Sequence, residues 1–413
     1  MSASVHMPGR RAVLAGSAAL IAGGSASTGA RPAPECADDD TAWVPSAELV
    51  REIPRLMQIA GVPGIAIAVV DRGALVWSEG FGVKNALTRD PVQDDTLFEA
   101  ASMTKPVFAY VVMRLADEQR LDLDRPLVAY RRPAHLGDDA NLEQVTTRHV
   151  LGHSTGLPNW ASGPLVTNSA PGSRYSYSGE AFIWLQLVVE QITGMGLGSV
   201  MQAKLFGPAG MSRSSFGWDE NIAKAAVFGH SEPPEGERML PPQPTRELGD
   251  RLLPVAAKWR KPIAFWTYED SVAAMREADP KTPPSTHDLL VNSAGGLLTT
   301  ASDYARFMLL MMDGRARADW EIGEAARQAM LTPQTEVRGR DISRGLGWEL
   351  EQSPAGQLFQ HSGSNYGIFR TLGVGDAGSG RAIVVFTNGA NGQALASRIV
   401  REATGIDRLK SLI

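Results

Sequence analysis

Strand-like segments lie at the two ends of this chain and helical ones between them, and that distribution restricts the fold more than any other feature. Gly64-Ile-Ala-Ile-Ala-Val-Val70 is rich in apolar and β-branched residues, Asp71-Arg72-Gly73 is a turn, and Ala74–Glu79 returns antiparallel. Near the other end Gly345–Leu350, Gln357–His361, Ile368–Val374 and Arg381–Asn388 have the same character. Between the two groups the pattern is helical, as in Pro106–Glu118 and Glu180–Gln191. A helix from about Ser46, a good N-cap, to Gly61 places Leu49, Ile53, Leu56 and Met57 on one face. A last amphipathic helix carries Leu395, Ile399 and Val400. The expected fold is therefore α/β (α+β): one antiparallel sheet built from both termini, flanked by helices, with a mostly helical lobe inserted. The sheet lobe takes residues 46–100 and 340–413, and the helical lobe residues 101–339.

The N-terminal residues 1–33 read as a signal peptide. Arg10-Arg11 precede an apolar run, Ala12 to Gly24, that is too short for a stable bilayer anchor. Small residues follow in Ser25–Ala30, as a signal peptidase needs. Paired arginines before a mild Gly/Ala-rich core favour a twin-arginine signal, so export to the periplasm or medium is expected. Residues 34–45 read as a linker. Cys36 is the single cysteine, which excludes an internal disulfide and a Cys-based zinc cluster. Arg31-Pro-Ala-Pro-Glu35 does not resemble the small apolar residues before a lipidated cysteine, and no membrane anchor is expected in the mature chain. Net charge is −5 without a Lys/Arg-rich run, so nucleic acid is not an expected partner.

Three short segments carry chemistry. In Phe98-Glu-Ala-Ala-Ser-Met-Thr-Lys105, a helix starting at Ser102 puts Lys105 on the same face, three residues on. A serine hydroxyl is a poor nucleophile until a base takes its proton, and a lysine is such a base only when burial lowers its pKa. The helix start also brings backbone N–H groups to where an oxyanion forms. In the second segment Tyr177 precedes Ser178, an N-cap candidate. Its phenol is either a proton relay or a half-buried ring with one hydrogen bond. The third is His361-Ser-Gly-Ser364: Gly363 lets a substrate approach the backbone and Ser364 N–H offers a second oxyanion donor, or the segment is a simple strand-end turn.

Other matches lack their structural context. Gly152-His-Ser-Thr-Gly156 has the nucleophile-elbow pattern around Ser154, but Thr147–Leu151 before it reads as helix and Leu157-Pro158 after it forbids one. Gly373-Val-Gly-Asp-Ala-Gly378 lies between two strands and reads as a hairpin turn, without the helix of a dinucleotide site. His149 and His153 have zinc-like spacing but no accompanying glutamate, so packing or hydrogen bonding is expected.

Together, Ser102-Met-Thr-Lys105, Tyr177-Ser-Gly179 and His361-Ser-Gly363 resemble the serine β-lactamase-like superfamily in order and spacing. That group includes class C β-lactamases, D-Ala-D-Ala carboxypeptidases, D-aminopeptidases and family VIII carboxylesterases. Gly61–Ile65, His149–Pro158 and Ala294–Asp303 also resemble it, and the likeness covers roughly residues 46–400. The resemblance implies a β-lactamase/transpeptidase-like fold and no metal or cofactor. It implies Ser102 as the acylated nucleophile, Lys105 as base, Tyr177 as proton relay, and the Ser102 and Ser364 amides as oxyanion donors. Two positions depart from the pattern. Gly179 stands where an Asn amide usually holds the substrate amide, and His361 where class C lactamases carry a lysine for a substrate carboxylate. The expected activity is ester hydrolysis, with D-amino-acid peptidase or weak β-lactamase as the second reading. The same site would also serve an acyltransferase. A penicillin- or peptidoglycan-binding module that stalls after acylation is the rival from another class. Residues 231–285, rich in proline with Trp259, Phe265, Trp266 and Tyr268, are either a surface excursion or a flap walling the cleft.

Overall fold

A computed structural model describes residues 43–231, 240–354 and 356–406. The signal segment, Cys36 and nearly all of the linker lie outside the described residues. The first helix, α1 (Ala47–Ala60), begins where Ser46 Oγ accepts a hydrogen bond from Leu49 N at 3.1 Å. It ends at Gly61, whose φ of +63° is the left-handed cap. Its apolar face, with Leu49, Ile53 and Met57 buried, rests on the sheet beside the C-terminal helix Gly392–Thr404.

Ten strands are present among the described residues. They are β1 (Gly64–Asp71), β2 (Ala74–Gly82), β3 (Phe98–Glu99), β4 (Leu298–Thr299), β5 (Thr335–Glu336), β6 (Ile342–Arg344), β7 (Glu349–Ser353), β8 (Gly356–Asn365), β9 (Phe369–Asp376) and β10 (Arg381–Thr387). Eight of them form one antiparallel sheet in the order β2-β1-β10-β9-β8-β7-β6-β5, and β3 pairs with β4 separately. The join between the chain's two ends is β1 on β10, in register from Ile65 opposite Thr387 to Val70 opposite Ala382. Side chains alternate across this strand pair. Ile65, Ile67 and Val69 enter the layer under α1, whereas Ala66, Ala68 and Val70 face the larger core shared with the helical lobe. Burial on both faces is why these strands read as continuous apolar runs.

The helical lobe is organised by α2 (Thr104–Asp117) and α4 (Gly179–Thr193), with the short α3 (Thr147–Leu151) between them in sequence. Val107, Phe108, Val111, Val112 and Leu115 are buried, and so is nearly every residue of the first three turns of α4. Among the described residues no single helix is long and apolar enough to cross a membrane. The expected strand Gly345–Leu350 begins later, at Glu349. A side chain at Gly345 would meet Met330 O at 2.2 Å and one at Gly347 would meet Ala109 Cβ at 2.5 Å, so the chain there is bent against its neighbours, and its N–H groups bond to Trp348, Met330 and Leu151 carbonyls outside the sheet ladder. The excursion holds two helices, Pro244–Trp259 and Tyr268–Ala278. Trp266 is buried in it, while Thr245 and Leu248 reach the cleft described next.

Candidate active site

Ser102 sits on a one-turn 3-10 segment, Ala101–Met103, between β3 and α2. Ala101 before it has φ +50°, a left-handed conformation that costs a non-glycine residue of order 1–3 kcal/mol. The surroundings over-determine it. Thr371 Oγ1 donates to Ala100 O at 3.0 Å, Thr104 Oγ1 to Ala101 O at 2.6 Å, and Tyr304 OH to Met103 O at 2.9 Å. The nucleophile candidate is thus held on a braced turn at a helix start.

Lys105 is 1% exposed. Its Nζ lies 3.1 Å from Ser102 Oγ and donates to Ala294 O at 2.7 Å. Burial, with Arg344 adding repulsion, lowers it to about 7. A substantial fraction is therefore a neutral amine at neutral pH, with a lone pair for the serine proton. Tyr177 is half-buried and hydrogen-bonds Ser102. Loss of hydration pushes its phenol up to about 12, against the pull of that bond, so it stays protonated. The division of labour follows: Lys105 is fit to accept a proton and Tyr177 to pass one on. Tyr177 is fixed by stacking on His153, with ring centroids 4.3 Å apart, and by Lys105 Nζ at 4.8 Å from its ring centre.

His361 lies on β8, buried, with Nδ1 2.7 Å from Ser362 O. Burial, then Arg344 and Lys105, hold it well below the usual histidine range, so it is neutral. Ser364, three residues on, lines the cleft with Ser102, and its Oγ accepts from Arg370 Nη1 at 2.8 Å. Gly363 lines the cleft beside Ser102 as well. A Cβ there would meet Thr371 Oγ1 at 2.4 Å and Ala100 O at 2.6 Å. The absence of a side chain thus lets β8 pass close to the Ser102 turn.

Ser102 lies where two cavities meet. One is lined by Tyr177, His361, Arg340, Arg344, Glu349 and Arg370. The other is lined by Lys105, Trp160, Leu248, Asn292, Asn365 and Tyr366, among others. Several of these residues were not singled out from sequence. Arg344 is nearly buried, paired with Glu349 at 2.6 Å, and lies on a three-residue strand, next to the edge of the sheet, with no legible pattern. The sequence assigns His153 to packing or hydrogen bonding, and its contact with Tyr177 joins segments 24 residues apart. Glu99, buried and bonded by Asn365 Nδ2 at 2.6 Å, is raised by burial to about 7.

The alternative motifs sit elsewhere. Ser154 follows α3 and is buried, outside the lining of both cavities. Gly373–Gly378 runs from β9 into its turn. His149 Nδ1 accepts from Thr146 N at 3.2 Å in a capping box at the start of α3. Among the described residues no group of three or more His, Cys, Asp or Glu is placed to hold a metal ion.

The sequence model described as Beta-lactamase matches residues 49–404, most of the chain. The chain belongs to the Beta-lactamase family. It is a serine hydrolase of that family, with its mixed α/β fold. Esterase EstB of Burkholderia gladioli is 27% identical over 364 residues, covering 79% of this chain and 86% of that one. Penicillin-binding protein 4* of Bacillus subtilis (strain 168) is 22% identical, covering 72% of this chain, which spans 62% of that protein's length. Among solved structures, the octameric penicillin-binding protein homologue from Pyrococcus abyssi superposes with TM-score 0.66 at 21% identity, covering 87% of this chain and 77% of that one. For D-alanine carboxypeptidase AmpC from Burkholderia cenocepacia the TM-score is 0.63 at 19% identity, with 86% and 97% covered. Within this Beta-lactamase family fold, the space above Gly179 is taken. A Cβ at that position would meet the Trp160 ring at 2.5–2.9 Å.

Proposed function

We propose that this Beta-lactamase family member hydrolyses small esters through an acyl-enzyme on Ser102. The observation that carries the reading is the 3.1 Å contact between Ser102 Oγ and an amine lowered to about 7. Lys105 takes the hydroxyl proton as Oγ attacks the ester carbonyl. The Ser102 and Ser364 amides steady the oxyanion. Tyr177 relays the proton to the departing alkoxide, and water then releases the acid by the reverse route. An ester suits the site because an alkoxide leaves without help from a side-chain amide at 179 or a lysine at 361. The likeness to an esterase over most of both chains supports this choice.

A second reading, release of a D-amino acid from a peptide, is favoured by one observation. Arg340, Arg344 and Arg370 face a single acid, Glu349, in the cavity that Tyr177 lines. A leaving group bearing a carboxylate would find compensation there. We also propose export through a twin-arginine signal, on the Arg10-Arg11 pair ahead of its short apolar run.

The test is kcat/KM for p-nitrophenyl butyrate and for a peptide ending in D-alanine. Ser102→Ala should lose about a thousandfold or more on whichever substrate is turned over, while Ser154→Ala stays within a few-fold. A burst of product without turnover on both substrates would instead favour a binding module.

A further inference from the structure

We infer that Trp160 is the end wall of the acyl pocket and limits this enzyme to short acyl groups. The inference rests on the ester reading above. Tyr177, the group that serves the leaving alkoxide, lines only the arginine-bearing cavity at Ser102. The acyl group therefore enters the other one, where Trp160, Leu248, Leu290 and Tyr366 stand. Trp160 and His287 also line a second, larger groove on the helical lobe, beside Pro133, His135, Tyr268 and Pro284. These two side chains are thus a partition with open space on both sides. Their rings meet edge-on with centroids 4.7 Å apart, and His287 meets Tyr366 in the same manner at 6.0 Å.

The partition is anchored. Gly179, the first residue of α4, leaves the space in which the indole sits, since any Cβ there would overlap it. Asn159 Oδ1 accepts from Gly179 N at 2.9 Å. Next along the helix, the buried Glu180 Oε1 accepts from Ala161 N at 3.0 Å and from Thr286 Oγ1 at 2.7 Å. One carboxylate thereby ties both wall-bearing segments to α4. The glycine that removes a polar substrate holder at 179 therefore also admits an apolar wall. A short acyl chain fits in front of the indole, and a longer one has to displace it. Removing the indole joins the pocket to the groove.

Acyl-length profiles test this with p-nitrophenyl acetate, butyrate, octanoate and dodecanoate, for the wild type, Trp160→Ala, Trp160→Phe and His287→Ala. Labelling rates of Ser102 by alkyl fluorophosphonates of short and long chain, read by intact mass, give a second measure. The wild type should lose about tenfold or more in kcat/KM from butyrate to octanoate. Trp160→Ala should recover at least that factor on octanoate relative to butyrate, His287→Ala less, and Trp160→Phe should keep the wild-type profile. An unchanged profile in Trp160→Ala, with Ser102 still labelled, would overturn the wall while leaving the ester reading intact. Failure of the wild type both to turn over any ester and to label at Ser102 would overturn the ester reading and the wall together.

Discussion

Lys105 carries the pH dependence of the proposed acylation. As an ordinary lysine, near 10.5, it would be an ammonium without a lone pair at neutral pH; buried beside Arg344, it is lowered to about 7. The active form is the neutral amine, so activity is lost as pH falls through about 7 and reaches a plateau above it. The expected profile of kcat/KM for p-nitrophenyl butyrate is a single rise with a midpoint near 7. Lys105→Arg, which stays charged, should lose about a hundredfold or more across the range. A pH-independent rate between 5.5 and 8.5 (roughly the span over which such a base titrates) would remove Lys105 from this role. At the same scale the limits of sequence reading are plain. Ser102 and Lys105 are three residues apart and helical spacing brings them together without help from the rest of the fold. Trp160 reaches Gly179, and the charge of Arg344 acts on His361 and Lys105, only through tertiary proximity that leaves no local spacing.

Among the elements, β8 has the most demanding position, because it must pass close to the turn that bears Ser102. Gly363 permits the approach, with Ala100 O and Thr371 Oγ1 in the space of any side chain. Gly363→Ala should destabilise the protein by about 1–3 kcal/mol, since neighbours on both sides are braced backbone or a bonded hydroxyl. Activity should fall further than the loss of folded protein explains, because Ser364 moves away from Ser102 with the strand. Urea unfolding together with kcat/KM separates the two effects, and a variant with wild-type stability and rate would show that β8 can shift freely. The long strands β1, β9 and β10 were legible because interior strands need apolar residues along much of their length, whereas β8 was legible only to His361, and the polar Ser362–Asn365 continues it in register with β9. β5 and β6, two and three residues long at the sheet edge, are too short for any period to register. The run 345–350 misled because Leu346 and Trp348 are buried core residues on an irregular segment, and burial alone looks the same in a strand.

At the scale of the whole molecule, both termini contribute to one sheet, and the helical lobe closes over it with the cleft at the junction. The folded domain therefore cannot be trimmed into α1 or the C-terminal helix, since β1 and β10 pair directly and these two helices cover the same face. The sequence before α1 carries the proposed address. The expected outcome for the full chain is cleavage between about residues 26 and 33, with export blocked in an Arg10-Arg11→Lys-Lys variant. N-terminal sequencing and fractionation check it, and normal export of the variant would contradict the twin-arginine route.

All of these inferences depend on the identity of the nucleophile. The direct measurement is reaction of the folded, full-length protein with a fluorophosphonate, followed by intact mass and peptide mapping. The account predicts one adduct per chain, on Ser102, absent from Ser102→Ala and retained by Ser154→Ala. An adduct mapped to Ser154 or any other residue, or no adduct on folded protein, would contradict it.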